Sequence, residues 1–262
     1  MKMKLLNIAQ MLDMELPKII IQIARENNIS EYVKNPDFKD IRLNEWHQYG
    51  LLTHTRKVRQ AFLFELNPLL INWGLYPAIE RYLSKDINGI DKKELFEASI
   101  IIHDLGKIVC LHERGENIKH EVASAELVDE EFLKDKLTKY GLNRKQLDYL
   151  KTCVKTHDVF GRQIRNELKE SGKLNLEYLA EKEVRKICQN LALKYSDVGL
   201  EIGLFFICDS LGKLNGKLYS ENEREIIKQL KKNGLPLDLK SGILQHPINM
   251  ELSRVYLNEL FN

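Results

Sequence analysis

Apolar residues recur three or four positions apart along almost the whole chain, and no segment sustains the strict alternation of a half-buried strand. Each repeat places one apolar stripe on a helix, so the expected fold class is all-α. Helices are expected over Leu5 to Met14, Leu16 to Glu26, Leu51 to Leu66, Pro77 to Ser84, Lys92 to His103, His120 to Leu133 and Arg144 to His157. Further helices are expected over Leu179 to Leu193, Val198 to Leu211, Glu221 to Lys232 and Ile248 to Leu260. The polar stretch from Asn27 to Asn44, with Pro36, reads as irregular chain that separates an N-terminal helical appendage (residues 1–44) from the main body (residues 45–262). Asp91 with Glu94 and Ser220 with Glu223 have capping-box spacing, Pro68 suits a helix start, and Gly106 and Gly234 sit where helices are expected to end.

A chain of 262 residues with 44% hydrophobic and 30% charged residues can bury one substantial core, but not two large ones. Its 40 basic residues nearly cancel 38 acidic ones, whereas a groove for long nucleic acid usually leaves a larger excess. The lysines of Lys228 to Asn233 read as a solvated helix face. Cys110, Cys153, Cys188 and Cys208 form no CxxC pair, so neither a zinc ribbon nor a disulfide framework is indicated, and a reducing cytoplasmic location is expected. Lys2 and Lys4 precede an apolar stretch broken by Gln10, Asp13 and Glu15, which is no signal-peptide core, and no apolar run is long enough to span a bilayer.

The chemistry lies in polar side chains on or beside apolar faces: His54, His103, Asp104, His120, His157 and Asp209. His54 shares a stripe with Leu51, Val58, Ala61 and Phe62, and His157 ends the stripe Leu147, Leu150, Val154. Asp209 continues Val198, Ile202 and Phe205, while His120 shares a face with Ala123 and Leu127. One inward histidine is more often a hydrogen-bonded core residue than a ligand. An inward carboxylate among inward imidazoles is different, because burying it unpaired costs roughly several kcal/mol. A metal accounts for all of them together, and nitrogen and oxygen donors without thiolate suit iron, manganese, nickel, cobalt or zinc. His47, His112 and His246 fall outside this pattern, with His47 the best placed of them to support it.

The string Ile101, Ile102, His103, Asp104, Leu105, Gly106, Lys107 resembles the central motif of the HD-domain metal-dependent phosphohydrolases. The stretch from Tyr49 to Thr55 resembles that family's first-histidine helix, and Cys208 with Asp209 resembles its terminal aspartate. The resemblance covers about Tyr49 to Lys213 and implies a single HD-type helical domain. It implies that His54, His103, Asp104 and Asp209 hold one metal, and that His120 and His157 add a second with Asp104 bridging. Two departures stand out: His157 is followed by Asp158, and Lys119 replaces the glycine often found before the equivalent of His120. The Gly-Tyr-Pro motif of the cyclic dinucleotide phosphodiesterases does not follow His157.

The function so implied is hydrolysis of a phosphate ester by metal-activated water, with a small phosphorylated substrate such as a nucleotide as partner and no membrane. Asp104 and Lys107 are the candidate catalytic residues, and Lys107, Arg56 and Lys155 are candidate substrate ligands; Lys107 could equally cap the preceding helix. The second expectation is an HD-type nuclease or phosphodiesterase acting on single-stranded nucleic acid or a cyclic nucleotide. Relatives of that kind carry additional modules for which 262 residues leave little room. The third is a non-catalytic scaffold in which the metal only ties helices together.

Overall fold

A computed structural model describes residues 6–39, 49–114, 119–174, 177–179, 181–212 and 242–261. Among them the chain is all-α apart from one small hairpin, and no described helix is long and apolar enough to cross a membrane. The helix expected over Glu221 to Lys232, with its lysines, the Ser220 cap, Gly234 and His47 lie outside the described residues.

The first helix corrects the sequence reading. Instead of two short helices, α1 (Ile8–Glu26) runs unbroken through Pro17. Proline has no N–H, so the carbonyl of Asp13, four residues earlier, loses its helical donor. Arg56 replaces it: its Nη2 donates to that carbonyl at 3.3 Å and its Nε to Asp13 Oδ1 at 2.8 Å. Asn7 caps the start of the helix in a reciprocal pair with Gln10. The stretch expected to be irregular contains a short helix, α2 (Ser30–Lys34).

The next helix also outruns its expected end. α3 (Leu51–Gln60), a π-helical turn (Ala61–Glu65) and α4 (Leu66–Asn72) form one continuous rod, with helical backbone at both junctions. Pro68 cannot donate to the carbonyl of Phe64, and the π turn, closed by the Leu66 N–H on the Ala61 carbonyl, lies immediately before that gap. After α5 (Tyr76–Leu83), β1 (Asp86–Ile87) pairs antiparallel with β2 (Ile90–Asp91). Asn88 and Gly89 both have positive φ, at 54° and 95°, as an Asn-Gly hairpin turn requires. Gln146 fastens this hairpin by donating to the carbonyls of Ile87 and Asn88.

The remaining elements are α6 (Lys92–Ile102), α7 (Gly106–Arg114), α8 (His120–Leu127), α9 (Glu131–Lys139) and α10 (Arg144–Thr156). A second π turn (Phe160–Ile164), α11 (Arg165–Glu170), α12 (Lys182–Lys194), α13 (Gly199–Gly212) and α14 (Gly242–Phe261) follow. Asp91 caps α6 as expected, accepting from the Glu94 N–H.

Every residue of α6 from Leu95 to Ile102 is buried, which marks a central helix. Leu95, Ala98, Ile101 and Ile102 join one apolar cluster with α1, α8, α9 and α10. Phe96 and Ile100 join another with α3, α12, α13 and α14. The C-terminus of α6 therefore delivers His103 and Asp104 to the seam between the two halves of the core.

Candidate metal centre

Five elements bring their polar side chains to that seam. α6 ends at Ile102, and His103 at its C-cap turns its Nδ1 back onto the Ile100 carbonyl at 2.7 Å. His157, at the C-cap of α10, does the same with the Val154 carbonyl at 2.7 Å. His54 in α3 places Nδ1 3.4 Å from the Gly212 carbonyl at the end of α13. Helix C-termini leave carbonyls without donors, and a ring that donates Nδ1–H to one is fixed in the tautomer whose Nε2 carries a lone pair.

The Nε2 atoms converge on Asp104, sorted by carboxylate oxygen. Oδ2 faces Nε2 of His54 at 3.2 Å and of His103 at 3.3 Å. Oδ1 faces Nε2 of His120 at 3.2 Å and of His157 at 3.7 Å. Asp209 Oδ1 closes the first side, 3.2 Å from His54 Nε2. The second side is closed by His120 and His157, whose Nε2 atoms are 3.2 Å apart. Lys107 is buried, with Nζ 2.5 Å from Asp104 Oδ2. The structure thus gathers all six candidate ligands and Lys107. Arg56 is instead bound to Asp13 on α1, and Lys155 is exposed in the last turn of α10 without any of these contacts.

The donor set fits a cation. His103 Nε2 is buried and has no hydrogen-bond partner although Asp104 lies beside it. Lone pairs of imidazole and carboxylate directed at one another repel unless a proton or a metal ion lies between them. Two groups bring ligand atoms close enough to hold an ion, His54 with His103 and Asp209, and His103 with Asp104 and His157. Burial disfavours the ionised Asp104 carboxyl, yet the neighbouring His103 and Lys107, with His120, outweigh it and hold the group well below the usual range. Burial, with the neighbouring imidazoles of His103 and His120, holds His157 well below the usual histidine range. Burial would also lower His54, but hydrogen bonds to Asp104 and Asp209 raise it, so a proton competes for that Nε2.

Gly106 does not end a helix, as its position in the sequence suggests; it starts α7 where that helix crosses α8. A Cβ there would lie 2.2 Å from the His120 carbonyl oxygen and 2.3 Å from the Ser124 nitrogen, and its N–H donates to Ser124 Oγ at 2.7 Å. The N-cap of α8, Lys119, has φ 60° and ψ 28°. That is the left-handed conformation glycine adopts freely and an L residue adopts at a cost of roughly 1–2 kcal/mol. Lys119→Gly is therefore expected to leave stability unchanged or raise it by up to about 1 kcal/mol, the greater chain entropy of glycine offsetting part of the gain. Chemical denaturation measures this, and a loss of stability would contradict the assigned strain.

The structure buries Glu121 beside His120 and pairs it with Arg162, 41 positions away, a partnership that no helical spacing signals. Phe205 of α13, against which the rings of His103 and His157 pack, was legible only as core. Compared with known proteins, the chain matches no family model, no curated protein and no solved structure. Among the described residues the protein is a helical fold with one small hairpin and a buried cluster of histidine and aspartate that could hold metal ions.

Proposed function

We propose that this chain is a metal-dependent phosphohydrolase of the HD type that cleaves a small phosphate ester such as a nucleotide. The observation that carries the reading is the sorting of imidazoles between the two oxygens of Asp104, as a carboxylate shared by two ions requires. The resemblance of residues 101–107 to the HD motif supports it independently.

His54, His103, Asp104 and Asp209 would hold one ion, and Asp104, His120 and His157 a second. Bound there, divalent ions supply positive charge that acidifies a water and polarises a phosphoryl oxygen. The residues of the chain do the rest. Backbone carbonyls hold three of the rings with Nε2 inward, so the donors need little rearrangement. Lys107, within hydrogen-bond reach of Asp104 Oδ2, keeps that carboxylate ionised and adds a fixed cation beside the site. Phe205 and the surrounding core keep water from the inner edges of the rings. Asp209 and His120 keep 18% and 10% of their side chains exposed among the described residues, which favours a reachable centre over a purely structural metal.

The test is a panel of nucleoside monophosphates and simple aryl phosphates, assayed beside single-stranded DNA and RNA with protein purified without added metal. Turnover of the small esters, lost on chelation and restored by a divalent ion, is expected. Cleavage of strands with no turnover of small esters would replace this reading with the nuclease, and activity indifferent to chelation would end it.

A further inference from the structure

Glu121 follows His120 in α8, and its side chain is only 4% exposed. A carboxylate so buried needs compensation. One oxygen has it: Arg162 in the second π turn donates Nη2 to Oε1 at 2.5 Å. Arg162 is itself partly exposed and leans toward Asp158, with Nε 3.9 Å from Oδ2. The other oxygen, Oε2, is buried without a hydrogen-bond partner and lies 3.8 Å from Nδ1 of His120.

The two nitrogens of an imidazole lie on different edges of the ring. His120 directs Nε2 at Asp104 Oδ1, so Glu121 meets the ring on the edge turned away from the proposed reacting atoms. It can act only through His120. The remaining rings direct Nδ1 at main-chain carbonyls, a solution natural to His103 and His157 because each closes a helix. His120 opens one, where the first turn of a helix presents N–H groups rather than carbonyls, and the carboxylate of Glu121 faces its Nδ1 edge instead.

We infer that Glu121 is the positioning residue of the second metal position. Its negative charge, with Oε2 3.8 Å from Nδ1, favours the His120 tautomer protonated on that edge and thereby keeps the Nε2 lone pair facing Asp104, while Arg162 holds the carboxylate in place. This rests on the two-ion reading of Asp104. The consequence is selective: loss of Glu121 weakens the ion shared by His120 and His157 and spares the one held by His54, His103 and Asp209.

The test is calorimetric titration of the metal-free full-length chain with Co2+, comparing wild type, Glu121→Gln and Arg162→Ala, with imidazole ¹⁵N spectra of each. Wild type is expected to bind two ions. Glu121→Gln is expected to bind one as wild type does and the other about 10- to 100-fold more weakly, as loss of a carboxylate behind a ligand histidine typically does. His120 should shift toward the Nε2–H tautomer, which a merely structural residue would not cause. Arg162→Ala keeps the carboxylate and should weaken the same ion by a smaller factor; it carries the test if Glu121→Gln does not fold. Wild-type binding of both ions by the two variants overturns the inference and leaves the metal centre standing, as does equal weakening of both ions or a wild type that takes up one ion only. A wild type that binds no ion overturns the metal centre itself, and the inference with it.

Discussion

Asp104→Ala is expected to leave the protein without bound metal, where wild type purified without added metal carries a divalent transition ion. Each oxygen of Asp104 faces two imidazole nitrogens, so a single truncation removes a ligand from both halves of the site. Loss of a carboxylate behind a ligand histidine costs about 10- to 100-fold in affinity, and loss of a shared ligand should cost at least that at each ion. The substitution also takes from buried Lys107 the carboxylate that its ammonium lies against, and breaking a buried ion pair from one side costs about 3–5 kcal/mol. Asp104→Asn separates the two effects, because it keeps the shape of the side chain and an acceptor oxygen while removing the charge. It should fold better than the alanine variant and still bind metal poorly. Elemental analysis with thermal melts provides the measurement, and an Asp104→Ala protein with undiminished metal content would refute the site.

The second large effect is structural. Gly106→Ala is expected to destabilise the fold by about 3 kcal/mol or more, at the upper end of overpacking costs, because the added methyl meets backbone that cannot rotate away. The nearest atoms are the His120 carbonyl oxygen and the Ser124 nitrogen at 2.2 and 2.3 Å, so α7 must move off α8 and carry the site apart. In a chain of this size that loss corresponds to a fall in melting temperature of roughly 6–12 °C. Metal affinity should fall with it, since α8 bears His120 and its crossing with α7 sets its distance from Asp104. A melting temperature within about 2 °C of wild type would show that the helices can part at little cost.

Gly212 has the same task on the other side of the site. A Cβ there would lie 2.5 Å from Val58 Cγ2 and 2.8 Å from the Val58 nitrogen, where α13 crosses α3. Those are the helices of Asp209 and His54. Both sides of the histidine–aspartate cluster therefore depend on a glycine that lets two helices bearing its side chains approach closely.

Much of this was present in the order of residues. Spacings of three and four placed α3, α6, α10 and α13 and turned His54, His157 and Asp209 toward a core, because helical periodicity is a local property read within one segment. Donor types without cysteine are equally legible in the residues and suit iron, manganese, nickel, cobalt or zinc if the cluster holds metal. The Asp91 cap was equally local. Only tertiary structure could assign Arg56 to the carbonyl that Pro17 leaves without a donor, turn Gly106 from a helix end into a crossing point, and bury Glu121 against Arg162. Each of these joins residues between 14 and 43 positions apart, and no periodicity relates them. The sorting of imidazoles on the two oxygens of Asp104 belongs with them. It depends on the angles at which helices cross, and packing sets those angles only once the chain has folded.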